Sequence, residues 1–400
     1  MKMLFSHSTK YRIYAILGIL IAITITGCGS ESPTYKTPKR ISKPIHLKVE
    51  EPQERTYSDS LYSELEFLTL KGFEQGLIGH INKVIVNDEK IFALDRDYSK
   101  SIYAFDKSGN HLFTIGKKGG GPGEFTVIED FDIHADSILI YDSGNGRISI
   151  FDMDGKFKSQ GPKLSRIGVI PDAISFKDNK IYSYSQASCG DFGCYTLTVT
   201  DLNNELIHAD VPNNHLKSFF VDFGKNQFRH KENIYLAQIF NDTLYQIGKD
   251  DSMLTPFVLD YERSSQELET INKAVKDRRE GLGKLLKARV NIGTVKVYAN
   301  DSHIWLQNLD DNKLKNIIIS ISEKQAFSFK NVLFDAERTI PFSDIVGSDN
   351  ERFIFYVGNE QLLSLKNSEN SALKDSEKLD MVNEETNGLL VFAKILLNNE

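Results

Sequence analysis

Apolar and polar positions alternate along most of this chain in runs of five or six residues, each closed by a turn rich in Gly, Asn or Asp. Alternation of period two predicts half-buried strands, and the turn residues predict hairpins. The pattern also repeats. Lys90-Ile-Phe-Ala-Leu-Asp95 and Ser101-Ile-Tyr-Ala-Phe-Asp106-Lys-Ser-Gly109 return as Ser137-Ile-Leu-Ile-Tyr-Asp142 and Arg147-Ile-Ser-Ile-Phe-Asp152-Met-Asp-Gly155, displaced by 46 or 47 residues. Weaker copies start at Asn179, Asn233, Ser302 and Arg352. A period in the forties with alternating apolar residues predicts four-stranded blades, six of them, arranged as an all-β propeller.

A ring of blades must close. Residues 65–70 and 388–397 both read as strands, and one of them is expected to complete the final blade and protect its edge. Residues 361–365 read as a further strand and 372–384 as a short polar helix. Between blades 4 and 5, residues 264–289 break the pattern. Leu268, Ile271, Val275, Leu282, Leu285 and Leu286 fall at helical spacing, Ser264 or Ser265 is placed to cap the start, and Gly281 and Gly283 are expected to split the segment into two helices. Such an insertion is either a lid over the channel or a brace against a blade.

The start of the chain follows different rules. Lys2, Lys10 and Arg12 precede an apolar run over residues 13–25, and Ile25-Thr-Gly-Cys28 follows it. A basic start, a short apolar core and a small residue before Cys form the pattern of a bacterial lipoprotein signal. On that reading residues 1–27 are removed, Cys28 carries acyl chains and anchors the chain to the outer membrane, and its membrane face is left open. Residues 28–60, with Pro33, Pro38, Pro44 and Pro52, are expected to be a flexible tether, and residues 61–400 the propeller. Removing three cations from a net charge of −7 leaves −10. That balance argues against a nucleic-acid partner, which demands concentrated positive charge. The chain is read as a monomer.

Two cysteines remain after Cys28. Cys189 and Cys194, in Cys189-Gly-Asp-Phe-Gly-Cys194, suit a disulfide across a hairpin tip in an oxidising envelope. Free thiols and a metal site are the alternatives, the second with poor zinc spacing.

The stretch Ile115-Gly-Lys-Lys-Gly-Gly-Gly-Pro-Gly-Glu-Phe125, followed by Ile140-Tyr-Asp-Ser-Gly-Asn-Gly-Arg-Ile-Ser-Ile-Phe151, resembles an NHL repeat. With Leu77-Ile-Gly-His-Ile81 ahead of the first blade, the whole chain resembles the six-bladed β-propeller lipoproteins of Bacteroidota. The resemblance implies an NHL- or TolB-like fold and a cell-envelope location, and it carries over no catalytic residues.

Candidate chemistry must therefore come from blade alignment. Nine positions before the second strand of each blade stand Asn82, Glu129, Asp172, Lys225, Val295 and Asp344. Innermost strands surround a propeller's channel, so Asn82, Glu129, Asp172 and Asp344 are expected to ring one mouth. Converging carboxylates would bind a divalent cation or hydroxyl groups. The Gly-rich loop at 119–124 lacks the helix and the Gly-Lys-Ser/Thr of a phosphate cradle, and Glu124 is read as a turn acceptor. The expected function is non-catalytic binding of a glycan, a peptide or a protein partner at one mouth. The alternative is a metal-dependent lyase or lactone hydrolase with its site in the channel.

Overall fold

The structure, a computed structural model, describes residues 43–50, 53–72, 78–186, 189–190, 193–212, 226–261, 263–274, 277, 280–333, 344–366 and 386–396. Cys28, Lys225, Val275 and the segment 372–384 lie outside the described residues.

Six sheets, antiparallel but for one added strand in each of two, form a six-bladed β-propeller. Their innermost strands are Lys83–Val86, Ile128–His134, Ala173–Lys177, Gln227–His230, Gly293–Ala299 and Ile345–Ser348. Two mouths follow from this order. The innermost strands begin at the proximal mouth and end at the distal mouth.

The repeated aspartates explain why the period is visible in the sequence. Asp106 Oδ1 accepts the backbone N–H groups of Ser108 and Asn110, both at 2.9 Å. Asp152 Oδ1 does the same for Asp154 and Lys156, and Asp201 Oδ1 for Asn203 and Glu205. Each aspartate satisfies the donors of the turn between the third and fourth strands. The position three residues on needs a left-handed backbone, and Gly109, Gly155 and Asn204 occupy it with φ of 75°, 78° and 72°.

Ring closure uses both candidate strands. In the last blade the order is Ile345–Ser348, Arg352–Val357, Leu389–Ile395, Tyr62–Thr69, so the C-terminal strand is third and the N-terminal strand is outermost. The expected tether also ends earlier than residue 60. Ile45–Lys48 pairs in parallel with Met253–Asp260 of blade 4, and Gln53–Tyr57 with Gln325–Leu333 of blade 5. Three successive N-terminal strands thus belt three successive blades. The physical reason is that the outer strands of blades 4 and 5 offer unpaired edges, and Leu47 gains burial by docking there.

Residues 361–365 belong to a helix, Asn359–Lys366, and not to a strand. The insertion contains Ser265–Ala274 and Gly281–Ala288, and Gly281 and Gly283 lie inside the second helix, not between the two. Ser264 caps the first: its Oγ accepts the Glu267 N–H at 3.2 Å while Glu267 Oε2 accepts the Ser264 N–H at 2.9 Å. Ile271, Ala274 and Leu285 are buried against Ile239, Ile292 and Val295, so the insertion braces blades 4 and 5.

The core sits between blades. Trp305 packs its ring edge-on against Phe329, Phe353 and Phe355 at 5.2–5.6 Å and donates its Nε1–H to Asn316 Oδ1 at 3.1 Å, which joins blades 5 and 6.

Candidate functional site

The proximal mouth holds the four polar residues that blade alignment singles out, but each is engaged locally. Asn82 Oδ1 accepts the Arg96 N–H and its Nδ2 donates to Asp97 Oδ2, both at 2.8 Å. Glu129 Oε1 lies 3.0 Å from Arg96 Nη1, and Asp344 Oδ1 lies 3.3 Å from Lys296 Nζ. Asp172 Oδ2 accepts the Gln186 N–H at 2.7 Å. Asn82 and Asp344 share a cavity of about 60 Å³ with His80, Arg96, Lys296 and Tyr298; Glu129 and Asp172 do not line it. Among the described residues no three His, Cys, Asp or Glu side chains gather into a metal-binding group. Glu129 and Asp344 are thus each paired with a cation, Arg96 and Lys296, while Asp172 accepts a backbone N–H.

Lys296 is the residue that alignment missed. Val295 occupies its aligned position, yet the register of the innermost strand shifts between Thr294 and Lys296, and Val295 is buried. A bulge of one residue changes which side chain faces the mouth, and no sequence signal marks it.

Cys189 and Cys194 are joined by a disulfide and face each other across the short hairpin formed by Cys189–Gly190 and the start of Gly193–Asp201 in blade 3. The Gly-rich loop is closed on itself. Glu124 Oε2 accepts the Gly121 N–H at 3.0 Å, and its Oε1 pairs with Lys117 at 2.8 Å.

The large cavity opens at the other, distal mouth and measures about 670 Å³. It starts in the channel at Asp132, Ser175 and residues 228–231, follows Lys83–Val86 along its whole length, and reaches residues 348–352, Lys107 and Glu64. Ser175 stands on the innermost strand of blade 3 and Glu64 on the outermost strand of blade 6. The cavity is thus a groove running outward along the seam between blades 6 and 1.

Asp132 lines its floor, and Asp130 lies buried beneath it. Asp130 and Asp132 are two apart on one strand and so share a face. Asp130 Oδ2 accepts the Ile174 N–H at 2.9 Å, and Asp132 Oδ2 accepts the Phe176 N–H at 2.7 Å. These N–H groups lie on the channel edge of blade 3, where no further strand pairs, and a buried donor needs a partner. Each carboxylate also takes a cation from a different blade. Lys83 Nζ of blade 1 sits 3.1 Å from Asp130 and donates to the Phe131 carbonyl at 2.7 Å. Arg229 of blade 4 grips Asp132 at two points, 2.8 and 2.9 Å. Burial opposes the Arg229 charge, yet the Asp132 carboxylate raises its pKa above the ordinary arginine value. Nearer the rim, His230 Nε2 and Lys231 Nζ share Asp301, in the turn between the first two strands of blade 5.

At the outer end, Arg352 is held by Asp349 and Glu66, whereas Lys107 has no ion-pair partner among the described residues. Burial lowers the Lys107 pKa, opposed by nearby Asp349. The groove therefore combines a rigid, internally neutralised floor with charged groups of both signs at its open end, an arrangement suited to holding a polar ligand.

The family described as "Domain of unknown function (DUF4934)" matches residues 42–394. The chain belongs to that family. Among solved structures, this DUF4934 chain is similar to a "Putative exported protein" from Bacteroides fragilis NCTC 9343, with a TM-score of 0.74 and 18% identity over 88% of this chain and 99% of that one. It is also similar to a member of the DUF4221 family from Bacteroides vulgatus ATCC 8482, with a TM-score of 0.52 and 12% identity over 84% and 97%. Streptogramin B lyase matches at a TM-score of only 0.42 and 13% identity over 74% and 81%, too distant to bear on chemistry. At these identities the likeness establishes the fold of the DUF4934 chain and nothing further. No curated protein matches its sequence.

Proposed function

We propose that this protein is a lipid-anchored envelope binding protein whose ligand site is the distal groove of the propeller. The observation that carries the reading is the groove itself: about 670 Å³, within the range of ligand pockets, polar, and framed by strands of five blades. The acid on its floor, Asp132, is held by Arg229 and the Phe176 N–H, which preorganises a surface for binding. The alternative, a metal-dependent lyase or lactone hydrolase, finds no support in the donor set, because the proximal carboxylates already hold Arg96 and Lys296.

The envelope location is supported by the basic start, the apolar run and Ile25-Thr-Gly-Cys28, and by the description of the similar Bacteroides fragilis protein as exported. Radiolabelled palmitate fed to cells tests this part, since label should enter the wild type and vanish in Cys28→Ser.

Binding is tested with the full chain in detergent, challenged with oligosaccharide and short-peptide panels and followed by thermal shift. A ligand that raises the midpoint, and whose affinity falls at least tenfold in Lys107→Glu, is the expected result. Failure of every member of both panels would overturn the reading.

A further inference from the structure

We propose that the ligand of the distal groove is a short, extended peptide that adds its main chain to the free inner edge of blade 1. This rests on the binding reading above and narrows it to one chemical class.

Among the described residues the strand Lys83–Val86 pairs on one side only, with Lys90–Asp95, and all four of its residues line the groove. Its hydrogen-bond phase follows from the turn. The Asn87 N–H donates to the Lys90 carbonyl at 3.1 Å, so residues 87 and 90 form a bonded pair. Bonded and non-bonded pairs alternate along an antiparallel ladder. Val84 and Val86 therefore turn their N–H and C=O groups away from the partner strand, toward the groove side. The Val84 carbonyl is covered by blade 6, because a Cβ added at Gly347 would stand 2.4 Å from it. Val86 is two residues nearer the distal mouth. Across the seam the same phase holds: the Asp349 N–H donates to the Arg352 carbonyl at 2.9 Å, which turns the main chain of Ser348 toward the channel.

Two main-chain donor–acceptor sets thus face one groove from two blades. That is the requirement for recognition by strand addition, in which backbone bonds supply affinity and side-chain contacts supply choice. The outer end supplies the second part. Lys107 lacks an ion-pair partner among the described residues, and Asp88 and Glu64 stand close by, so both signs of peptide charge find a counterpart. A sugar is less well served. Phe228 and His230 are the aromatic rings among the described residues that line the groove, and at 7% and 8% exposed they leave a pyranose ring little to stack on.

The test uses the full chain in detergent, a library of tetrapeptides with free termini, and a panel of neutral tetrasaccharides. Some peptides should raise the thermal midpoint. Copies of the best one N-methylated at successive amides should lose at least tenfold in affinity at one or two positions, where a donor to the edge is removed. Lys107→Glu should shift the preferred peptides toward positive charge. Binding of saccharides without peptides would overturn the peptide assignment and leave the binding reading standing. Peptide binding indifferent to N-methylation at every amide would overturn the strand addition. Silence from both panels would overturn both.

Discussion

Arg229 and Asp132, 97 residues apart in the chain, meet in the central channel with Nε–Oδ2 at 2.8 Å and Nη2–Oδ1 at 2.9 Å. The pair ties blade 4 to blade 2 and, through the Phe176 N–H, to blade 3 between them. Such a pair is modest evidence of net stability, but breaking one half of it is costly because a buried charge is stranded. Arg229→Ala should therefore destabilise the fold by about 3–5 kcal/mol. Arg229→Met combined with Asp132→Asn should recover part of that loss. Urea unfolding midpoints of the two variants decide the matter, and equal midpoints would contradict it.

The N-terminal belt makes a second prediction. A chain beginning at residue 58 keeps the strand Tyr62–Thr69 that closes blade 6 but loses Ile45–Lys48 and Gln53–Tyr57. The outer strands of blades 4 and 5 would then present open edges, which invite pairing between molecules. This chain should melt earlier than one beginning at residue 43 and should self-associate as concentration rises. A monomer with an unchanged midpoint, by light scattering and thermal melting, would show that the belt is dispensable.

Gly347 and Gly120 form a matched pair of probes. A Cβ at Gly347 would meet the Val84 carbonyl oxygen at 2.4 Å, a backbone atom that has no side-chain freedom to move aside. A Cβ at Gly120 would meet nothing within 4 Å. Gly347→Ala should cost about 1–3 kcal/mol by overpacking the seam of blades 6 and 1. Gly120→Ala should leave the denaturation midpoint unchanged, and similar midpoints for both would refute the close approach.

Acid should weaken the fold through its histidines. His111, His208, His230 and His303 all have pKa values below the ordinary 6.5, in each case chiefly because burial disfavours the charged ring. The folded chain then resists protons that the unfolded chain accepts, so stability is complete above the unfolded pKa and declines as pH falls from about 7 to 5. His208 is the sharpest probe because its buried Nε2 has no hydrogen-bond partner among the described residues. His208→Gln should flatten the slope of melting temperature against pH, and an unaltered slope would remove His208 from the account.

The local rules of this chain were legible in its sequence. Alternation placed the strands, and Asp106 and Asp152 marked turns whose aspartates bond the same two backbone donors. The repeat of blades 1 and 2, with the weaker copies at Asn179, Asn233, Ser302 and Arg352, revealed six blades, because each sheet reuses the same order of strands and turns although its length varies. Helical spacing found the insertion, and Ser264 its cap. What remained hidden depends on which blades become neighbours. Residues 45–57 looked like a tether because four residues of alternation carry little signal until an unpaired edge is offered to them. Lys296 stayed hidden behind a one-residue shift of register. The groove lies at the opposite mouth from the acids that alignment singled out. At and beneath its floor Lys83, Asp130, Asp132 and Arg229 meet from three blades, and only the closed ring brings those charges within hydrogen-bond distance. Strands and turns follow from neighbours in sequence; the site follows from the circle, which sets distances between residues that sequence separation does not encode.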